Sequence, residues 1–317
     1  MSKLAFLFPG QGAQYVGMGK FLYDNYEVAK ETFRTADDVL GFQITEKIFN
    51  GTDEDLRRTE LTQPAILTTS VASARVLQDL GFKPQGAVGL SLGEYGALVT
   101  ANAINFDQAL TLVQKRGRFM QEAVPEGKGK MVSILGLDEK KVEEACEKAR
   151  ENSNSVVVPA NYNSPNQIVI SGDNKGVDQA QSLCKEIGAK RVKELSVSAP
   201  FHCELLAPAS VKLEHELENL EIRNPEIPVI SNVTGEAFTS ADEVKEKLIK
   251  QVKSPVLLHQ SFSELITMGF DYFVEVGPRN TLCKLLKKVD RKVFQTSVDT
   301  KEDLDKLISN KEDLLNE

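Results

Sequence analysis

The stretch Gly86-Ala87-Val88-Gly89-Leu90-Ser91-Leu92-Gly93-Glu94-Tyr95 is a short apolar run that breaks into a G-x-S-x-G turn. Glycines on both sides of a serine permit a tight strand-to-helix corner. Such a corner projects the Ser91 hydroxyl and sets it at a helix N-terminus, where negative charge is stabilised. That is the geometry of a nucleophile. The same residues also form an S-x-x-E capping box, in which Ser91 only caps the helix. Both readings stay open on this stretch alone, so its partners must decide.

A serine hydroxyl needs a neighbouring base to attack a carbonyl, and the chain offers His202, His215 and His259. His215 follows Leu213 on the face opposite the leucines of an expected helix carrying Leu206, Leu213, Leu217 and Leu220, a solvated position. His259 lies near a helix start beside the stripe of Phe262 and Leu265, where it packs at a rim. His202, in Ser198-Ala199-Pro200-Phe201-His202-Cys203, occupies a loop after an expected strand, where a rigid sheet commonly positions catalytic groups. His202 is the expected base.

A helix is expected over 106–123, with an apolar stripe of Ala109, Val113 and Met120. At about 100° per residue Arg116 falls in the middle of that stripe, whereas Lys115 and Arg118 point away. A buried guanidinium requires an anion or strong acceptors. It forms either an internal ion pair or a bidentate clamp for a substrate carboxylate.

Oxyanion donors come from backbone. Leu4–Phe8 is a continuous apolar run, as in a buried parallel strand, and it ends in Pro9-Gly10-Gln11-Gly12-Ala13-Gln14. The next glycines, Gly17 and Gly19, break the G-x-G-x-x-G spacing, and no P-loop lysine follows. The loop therefore reads as a source of N–H groups. Leu92, just after the nucleophile, gives one donor, and Gln11 is the expected second.

The elements that must position these groups follow from the pattern. Thr62-Gln63-Pro64 is expected to start a helix that stops at Gly81. Glu126–Lys130 reads as a linker. Beyond it strands at 131–136, 156–162, 167–171 and 191–197 alternate with helices at 138–150 and 174–188, the β-α-β-β-α-β order of a ferredoxin-like unit. Strands at 227–231, 272–276 and 293–297 follow, and a surface helix is expected from Lys301. The expected fold class is α/β, with a discontinuous large domain over 1–126 and 198–317 and an inserted α+β subdomain over 127–197.

With 317 residues, 41% hydrophobic and 26% charged, the chain has the composition of an ordinary soluble globular protein. No run reads as a signal peptide or a membrane span, so a cytoplasmic location is expected. The four cysteines, Cys146, Cys184, Cys203 and Cys283, have no C-x-x-C spacing and read as thiols outside any disulfide framework or zinc site. A formal net charge of −8 argues against nucleic acid as a partner.

Nucleophile, base, carboxylate anchor and oxyanion donors together point to acyl transfer. At this level the sequence resembles the malonyl-CoA:acyl carrier protein transacylases over almost its whole length. The resemblance rests on Phe8-Pro-Gly-Gln-Gly-Ala-Gln14, Thr62-Gln-Pro64, Gly89-x-Ser91-Leu-Gly-Glu94, Arg116-Gly117, Pro159-Ala-Asn161, Phe201-His202 and Val276-Gly-Pro278, all in the family's order. It implies a hydrolase-like large domain with a nucleophile elbow and a ferredoxin-like insertion. Ser91 would carry the malonyl group, His202 would shuttle the proton, Gln11 and Leu92 would form the oxyanion hole, and Arg116 would grip the malonyl carboxylate. Gln63, Asn161 and Phe201 would join Arg116 around the substrate. A backbone carbonyl near Ser254-Pro255-Val256-Leu257 would orient His202.

The implied partners are malonyl-CoA and acyl carrier protein, in fatty acid synthesis, with the enzyme a monomer. No cofactor is implied, since phosphopantetheine arrives on the carrier. Leu90 stands where many members have histidine, and Arg279 where glycine is usual. Phe201 matches the malonyl-selective members, whose bulky ring disfavours an α-methyl group. The rival functions are a polyketide-pathway acyltransferase, a serine acyl hydrolase and a noncatalytic carrier-binding module. Two basic clusters, Lys190, Arg191 and Lys193, and Lys284, Lys287, Lys288, Arg291 and Lys292, read either as solvated faces or as docking surfaces for an acidic carrier.

Overall fold

The computed structural model describes residues 2–125, 127–197 and 199–310. The chain begins with β1 (Leu4–Phe8), α1 (Lys20–Asn25), α2 (Glu27–Leu40), α3 (Ile44–Asn50), α4 (Thr59–Asp79), β2 (Gly86–Gly89), α5 (Gly93–Thr100) and α6 (Phe106–Ala123). It continues through β3 (Gly129–Leu135), α7 (Glu139–Ser153), β4 (Val157–Ser164), β5 (Gln167–Asp173), α8 (Asn174–Glu186) and β6 (Arg191–Glu194). It ends with α9 (Ala207–Glu218), β7 (Val229–Ile230), α10 (Ala241–Gln251), α11 (Leu258–Thr267), β8 (Tyr272–Val276), α12 (Thr281–Val289), β9 (Phe294–Val298) and α13 (Lys301–Ser309).

Five strands form a parallel sheet in the order β7-β2-β1-β8-β9. β1 is the middle strand and is wholly buried. Its Leu4, Phe6 and Phe8 enter one apolar core, and Ala5 and Leu7 enter another. This is why β1 reads as an unbroken apolar run: side chains alternate between faces, and helices cover both faces. The other four strands form an antiparallel sheet in the order β4-β5-β3-β6, as a ferredoxin-like unit requires. Val132, Ile134, Ile168 and Ile170 on that sheet pack with Val142, Ala149, Val177 and Ala180 of α7 and α8 in a third core.

The two sheets are stitched near the site. Val256, in the segment before α11, donates to Ala160 O at 2.8 Å and accepts from Tyr162 N at 2.9 Å. β4 is irregular at Pro159/Asn161, which lets it take this extra neighbour beside β5.

Several boundaries differ from the sequence expectation. α4 starts at Thr59, so Pro64 lies inside the helix. The first turn is already closed before the proline, because Leu61 N and Thr62 N both reach Arg58 O at 2.8 Å and the Thr62 hydroxyl donates to Leu56 O at 2.6 Å. β3 begins at Gly129, within the expected linker, pairing Gly129 with Asp173. β7 is only two residues long. Leu206 and Leu220 flank α9 rather than ride in it. Glu126 of the linker, Ser198 of the histidine loop and the tail at 311–317 lie outside the described residues. Among the described residues no helix is long and apolar enough to cross a membrane.

Candidate active site

β2 runs into α5 through Leu90, Ser91 and Leu92, and Ser91 has φ 52°. A serine in this left-handed region is strained, so its surroundings must enforce the corner. Packing does part of this. A Cβ on Gly89 would sit 1.9 Å from the Gly93 carbonyl carbon, and one on Gly93 would sit 2.0 Å from Phe8 O. Only glycine fits at either place. Ser91 Oγ lies beside a cavity of about 230 Å³ between loops and helices of the large domain, including Gln11, Leu92, Arg116 and Phe201, and strands of the antiparallel sheet, including Asn161.

His202 Nε2 lies 2.8 Å from Ser91 Oγ, and His202 Nδ1 lies 2.8 Å from Gln251 O. A carbonyl only accepts, so Nδ1 must carry the proton and Nε2 presents its lone pair to the serine hydroxyl. The orienting carbonyl is that of Gln251, just upstream of the 254–257 segment near which it was expected, and the Ser254 backbone also supports the protonated ring. Val256 there is engaged with β4, and Leu257 N donates to Asn232 O at 2.8 Å. Burial, and then the charge of Arg116, push the His202 imidazole down to about 4. It is neutral and ready to accept a proton at neutral pH.

Arg116 is 1% exposed, on the α6 face the periodicity assigns it. Its Nη1 donates to Gln63 Oε1 at 2.9 Å; its Nη2 donates to Gln251 Oε1 at 2.8 Å and to Ser91 Oγ at 3.1 Å. Its guanidinium carbon lies 5.5 Å from the Tyr95 ring centroid. All these partners are neutral. Among the described residues no carboxylate lies within ion-pair range of Arg116, and its Nε has no partner. The internal ion pair allowed by the sequence is absent there, and burial lowers the guanidinium pKa. The buried Glu94 carboxyl acts on Arg116 only beyond ion-pair contact, so a desolvated cation bordering the cavity is left as a receptor for a carboxylate.

The remaining expected residues converge as well. A Cβ on Gly10 would sit 2.5 Å from Leu90 O, so the β1 loop lies directly against the elbow. Gln11 follows, with its side chain donating to Thr59 Oγ1 at 3.3 Å. The N–H groups of Gln11 and Leu92 make no hydrogen bond to the described residues. Gln63, Asn161 and Phe201 are buried and line the cavity. His215 is exposed on α9 near Glu218, and His259 lies 3.3 Å from Glu139, outside the cavity lining.

Two buried amides escaped the sequence reading. Gln251 serves both partners of Ser91, with its carbonyl on His202 and its side-chain oxygen on Arg116, while its Nε2 donates to Ser91 O at 3.0 Å. It shares a helix face with Val244 and Leu248, and an amide on an apolar stripe is the same signal that singled out Arg116. Asn232, just past β7, binds the elbow backbone. A polar residue beyond the C-terminal end of a parallel strand marks it.

The position of Arg279 also explains the usual glycine there. Its φ is 67°, and its side chain lies over the Tyr15 ring at 5.2 Å.

Comparison with known proteins agrees with this geometry. Residues 5–316 match the family described as "Acyl transferase domain". The malonyl CoA-acyl carrier protein transacylase of Bacillus subtilis (strain 168) is 46% identical over 305 residues, covering 96% of each chain. That of Escherichia coli (strain K12) is 44% identical over 290 residues, 91% of this chain and 93% of the other. The solved transacylase of Clostridium perfringens superposes with a TM-score of 0.95 at 45% identity, covering 99% of this chain and 98% of that one. A malonyl-transacylase solved in complex with its type II PKS acyl-carrier protein gives 0.94 at 40% identity, covering 98% and 100%. With a nucleophile elbow, a histidine base and an unpaired buried arginine in one cleft of a matching fold, the chain belongs to the acyl transferase domain family.

Proposed function

We propose that the chain transfers the malonyl group of malonyl-CoA to the phosphopantetheine thiol of acyl carrier protein through a malonyl-serine intermediate. The observation that carries this reading is Arg116, buried with no carboxylate in ion-pair contact among the described residues and hydrogen-bonded to the nucleophile itself. A malonyl group ends in a carboxylate that can make the direct ion pair Arg116 does not make within the described chain.

Ser91 Oγ attacks the thioester carbonyl while His202 Nε2 takes its proton, and the N–H groups of Gln11 and Leu92 receive the oxyanion. Collapse breaks the C–S bond, and the proton on His202 goes to the departing CoA thiolate. The carrier thiol then gives its proton to His202 and attacks the ester. The serine leaves and recovers the proton. Arg116 holds the distal carboxylate through both halves, assisted by Gln63, with Asn161 and Phe201 shaping the wall. Phe201 disfavours an α-methyl group by about 1–3 kcal/mol.

The large domain, 1–126 with 198–317, supplies nucleophile, base and clamp in this reading, and the insert, 127–197, supplies the opposite wall. The segregation of the two sheets supports that division. Acidic carrier docks on the exposed lysines of α12, whose Thr281, Leu282 and Leu285 line the cavity. Lys288 Nζ reaches Gln167 Oε1 at 2.7 Å on the cavity rim. Four buried thiols support a reducing, cytoplasmic setting. Fatty acid synthesis is the proposed pathway. A polyketide carrier is the second reading, favoured by the likeness to the transacylase solved with a type II PKS carrier.

Intact mass after brief exposure to malonyl-CoA tests the proposal. The wild-type chain should gain one malonyl group and lose it to carrier protein, and Ser91→Ala should gain none. An adduct on Ser91→Ala, or release mainly to water, refutes the transferase reading. Transfer rates to fatty-acid and polyketide carriers side by side separate the pathways.

A further inference from the structure

The corner that carries Ser91 leaves two backbone groups that neither β2 nor α5 can satisfy, the carbonyl of Gly89 and the N–H of Ser91. Leu90 N between them is already engaged with Phe8 O at 3.0 Å. A single side chain meets both. Asn232 Oδ1 accepts from Ser91 N at 2.6 Å, and Asn232 Nδ2 donates to Gly89 O at 2.7 Å. Only one orientation of the amide satisfies an N–H and a carbonyl together, so its atoms are fixed by the partners.

Asn232 is itself held on both sides. Its own N–H donates to Glu94 Oε2 at 2.6 Å, in the first turn of the helix the elbow feeds. Its carbonyl accepts from Leu257 N at 2.8 Å, next to the Val256 link to β4. Asn232 and Glu94 are both 0% exposed. A buried amide in a loop with every polar atom directed at the elbow or its support has a task there, because an unsatisfied amide in that place is costly.

We propose that Asn232 is a positioning residue for the nucleophile. It pins Ser91 in the left-handed conformation that places Oγ against His202 and aims the Leu92 N–H, with Glu94 as the anchor of the pin. The proposal rests on the malonyl-serine reading and adds to it. Shape alone keeps the corner tight; the amide selects which side of the corner the hydroxyl leaves from.

The test uses full-length enzyme, with malonyl-CoA burst kinetics expressed per titrated active site, so that misfolded protein drops out of the rate. Asn232→Ala should acylate about a hundredfold more slowly, the order expected for a small displacement of a reacting group, with KM within twofold. Asn232→Asp is isosteric and separates positioning from folding. An ionised aspartate cannot donate to Gly89 O, whereas a protonated one can donate there and still accept from Ser91 N.

The groups facing that side chain are Glu94 on α5, Arg116 on α6 and His202 before α9, and His202 stays neutral down to about pH 4. Burial raises the Glu94 carboxyl to about 7 in both proteins, so the wild-type profile is the reference, and acylation by Asn232→Asp should recover at least tenfold relative to it between pH 8 and pH 5. An Asp variant whose profile parallels the wild type, or an Ala variant that acylates at the wild-type rate per site, overturns the proposal. Absence of any malonyl adduct on the wild-type chain would instead sink the transferase reading beneath it.

Discussion

The turn that carries Ser91 and the loop that carries His202 hold their key residues in the same unusual backbone region, φ 52° and 60°, by different means. The serine turn is shaped largely by absence: two glycines leave no room for a Cβ, and the β1 loop presses against the turn. The histidine loop is held by partners distant in sequence, above all the Gln251 carbonyl at the end of α10. Steric confinement fixes where a backbone can go. Hydrogen bonding fixes which atom of a ring does the work. A site that needs both distributes them over its two halves, and Arg116 joins the halves by bonding to Ser91 and to Gln251.

The comparison can be broken most severely on the steric side. Gly89→Ala should cost about 4 kcal/mol or more, because the clash is with backbone that cannot move aside. Chemical denaturation reads this, and a folded, active variant with unchanged stability would show that the turn has slack. Arg116→Ala should lose about 2–5 kcal/mol of malonyl transfer, the range for truncating one member of a buried charge pair. Acetyl-CoA lacks the carboxylate, so its background reaction should suffer less. Equal losses on both substrates with a lowered melting temperature would make Arg116 structural.

The hydrogen-bonded half is sharpened by pH. With its imidazole at about 4 instead of the ordinary 6.5, His202 should itself put no acid limb on kcat/KM for malonyl-CoA until pH approaches 4. The stability contribution has a definite sign. The unfolded ring takes up a proton first, so stability from this residue is complete above pH 6.5 and is lost as pH falls from there toward 4. After burial, the charge of Arg116 is the next cause of the depression, so Arg116→Ala should move the acid limb upward. An unmoved limb would uncouple the halves.

Smaller effects are expected at the rim. Reversing Lys287 and Lys288 to glutamate should slow transfer to carrier protein and flatten its salt dependence, while malonylation from malonyl-CoA persists. Unchanged carrier kinetics across a salt series would remove α12 from the docking surface. Arg279→Gly should change stability by less than about 1 kcal/mol. It relieves a left-handed residue but loosens the unfolded chain and gives up the Tyr15 contact.

The same contrast accounts for what the sequence made legible. Ser91 is marked because a steric corner demands glycines at fixed spacing, and Arg116 because a charge on an apolar stripe violates helix periodicity. β1 and α6 were legible to their end residues for related reasons: burial on both faces in one case and a clean stripe in the other. His202 emerged by elimination among three candidates. The acceptor on its Nδ1 was placed only to a neighbourhood, and only by the family resemblance, because any residue has a carbonyl and no side-chain type announces its use. The start of α4 was misplaced because Pro64 is a strong first-turn signal, and the Thr62 hydroxyl bond that extends the helix backwards has no short-range pattern. Asn232 lies 141 residues from the turn it braces, a distance at which only the fold brings the two together.

The cysteines bear on a hazard peculiar to thioester chemistry. The natural acceptor is a thiol, so any reactive sulfur of the enzyme near an activated acyl group is a rival destination. Cys203 directly follows the base, yet it is 1% exposed and its Sγ donates to Pro200 O at 3.2 Å. Burial pushes its thiol up to about 11, and it raises Cys184 to about 11 and Cys146 to about 12. A thiol kept protonated is a poor nucleophile, because the thiolate is the attacking species. The close packing around the histidine loop thus acts as chemical insulation, keeping the thiol beside the base from rivalling the carrier's sulfur for the acyl group.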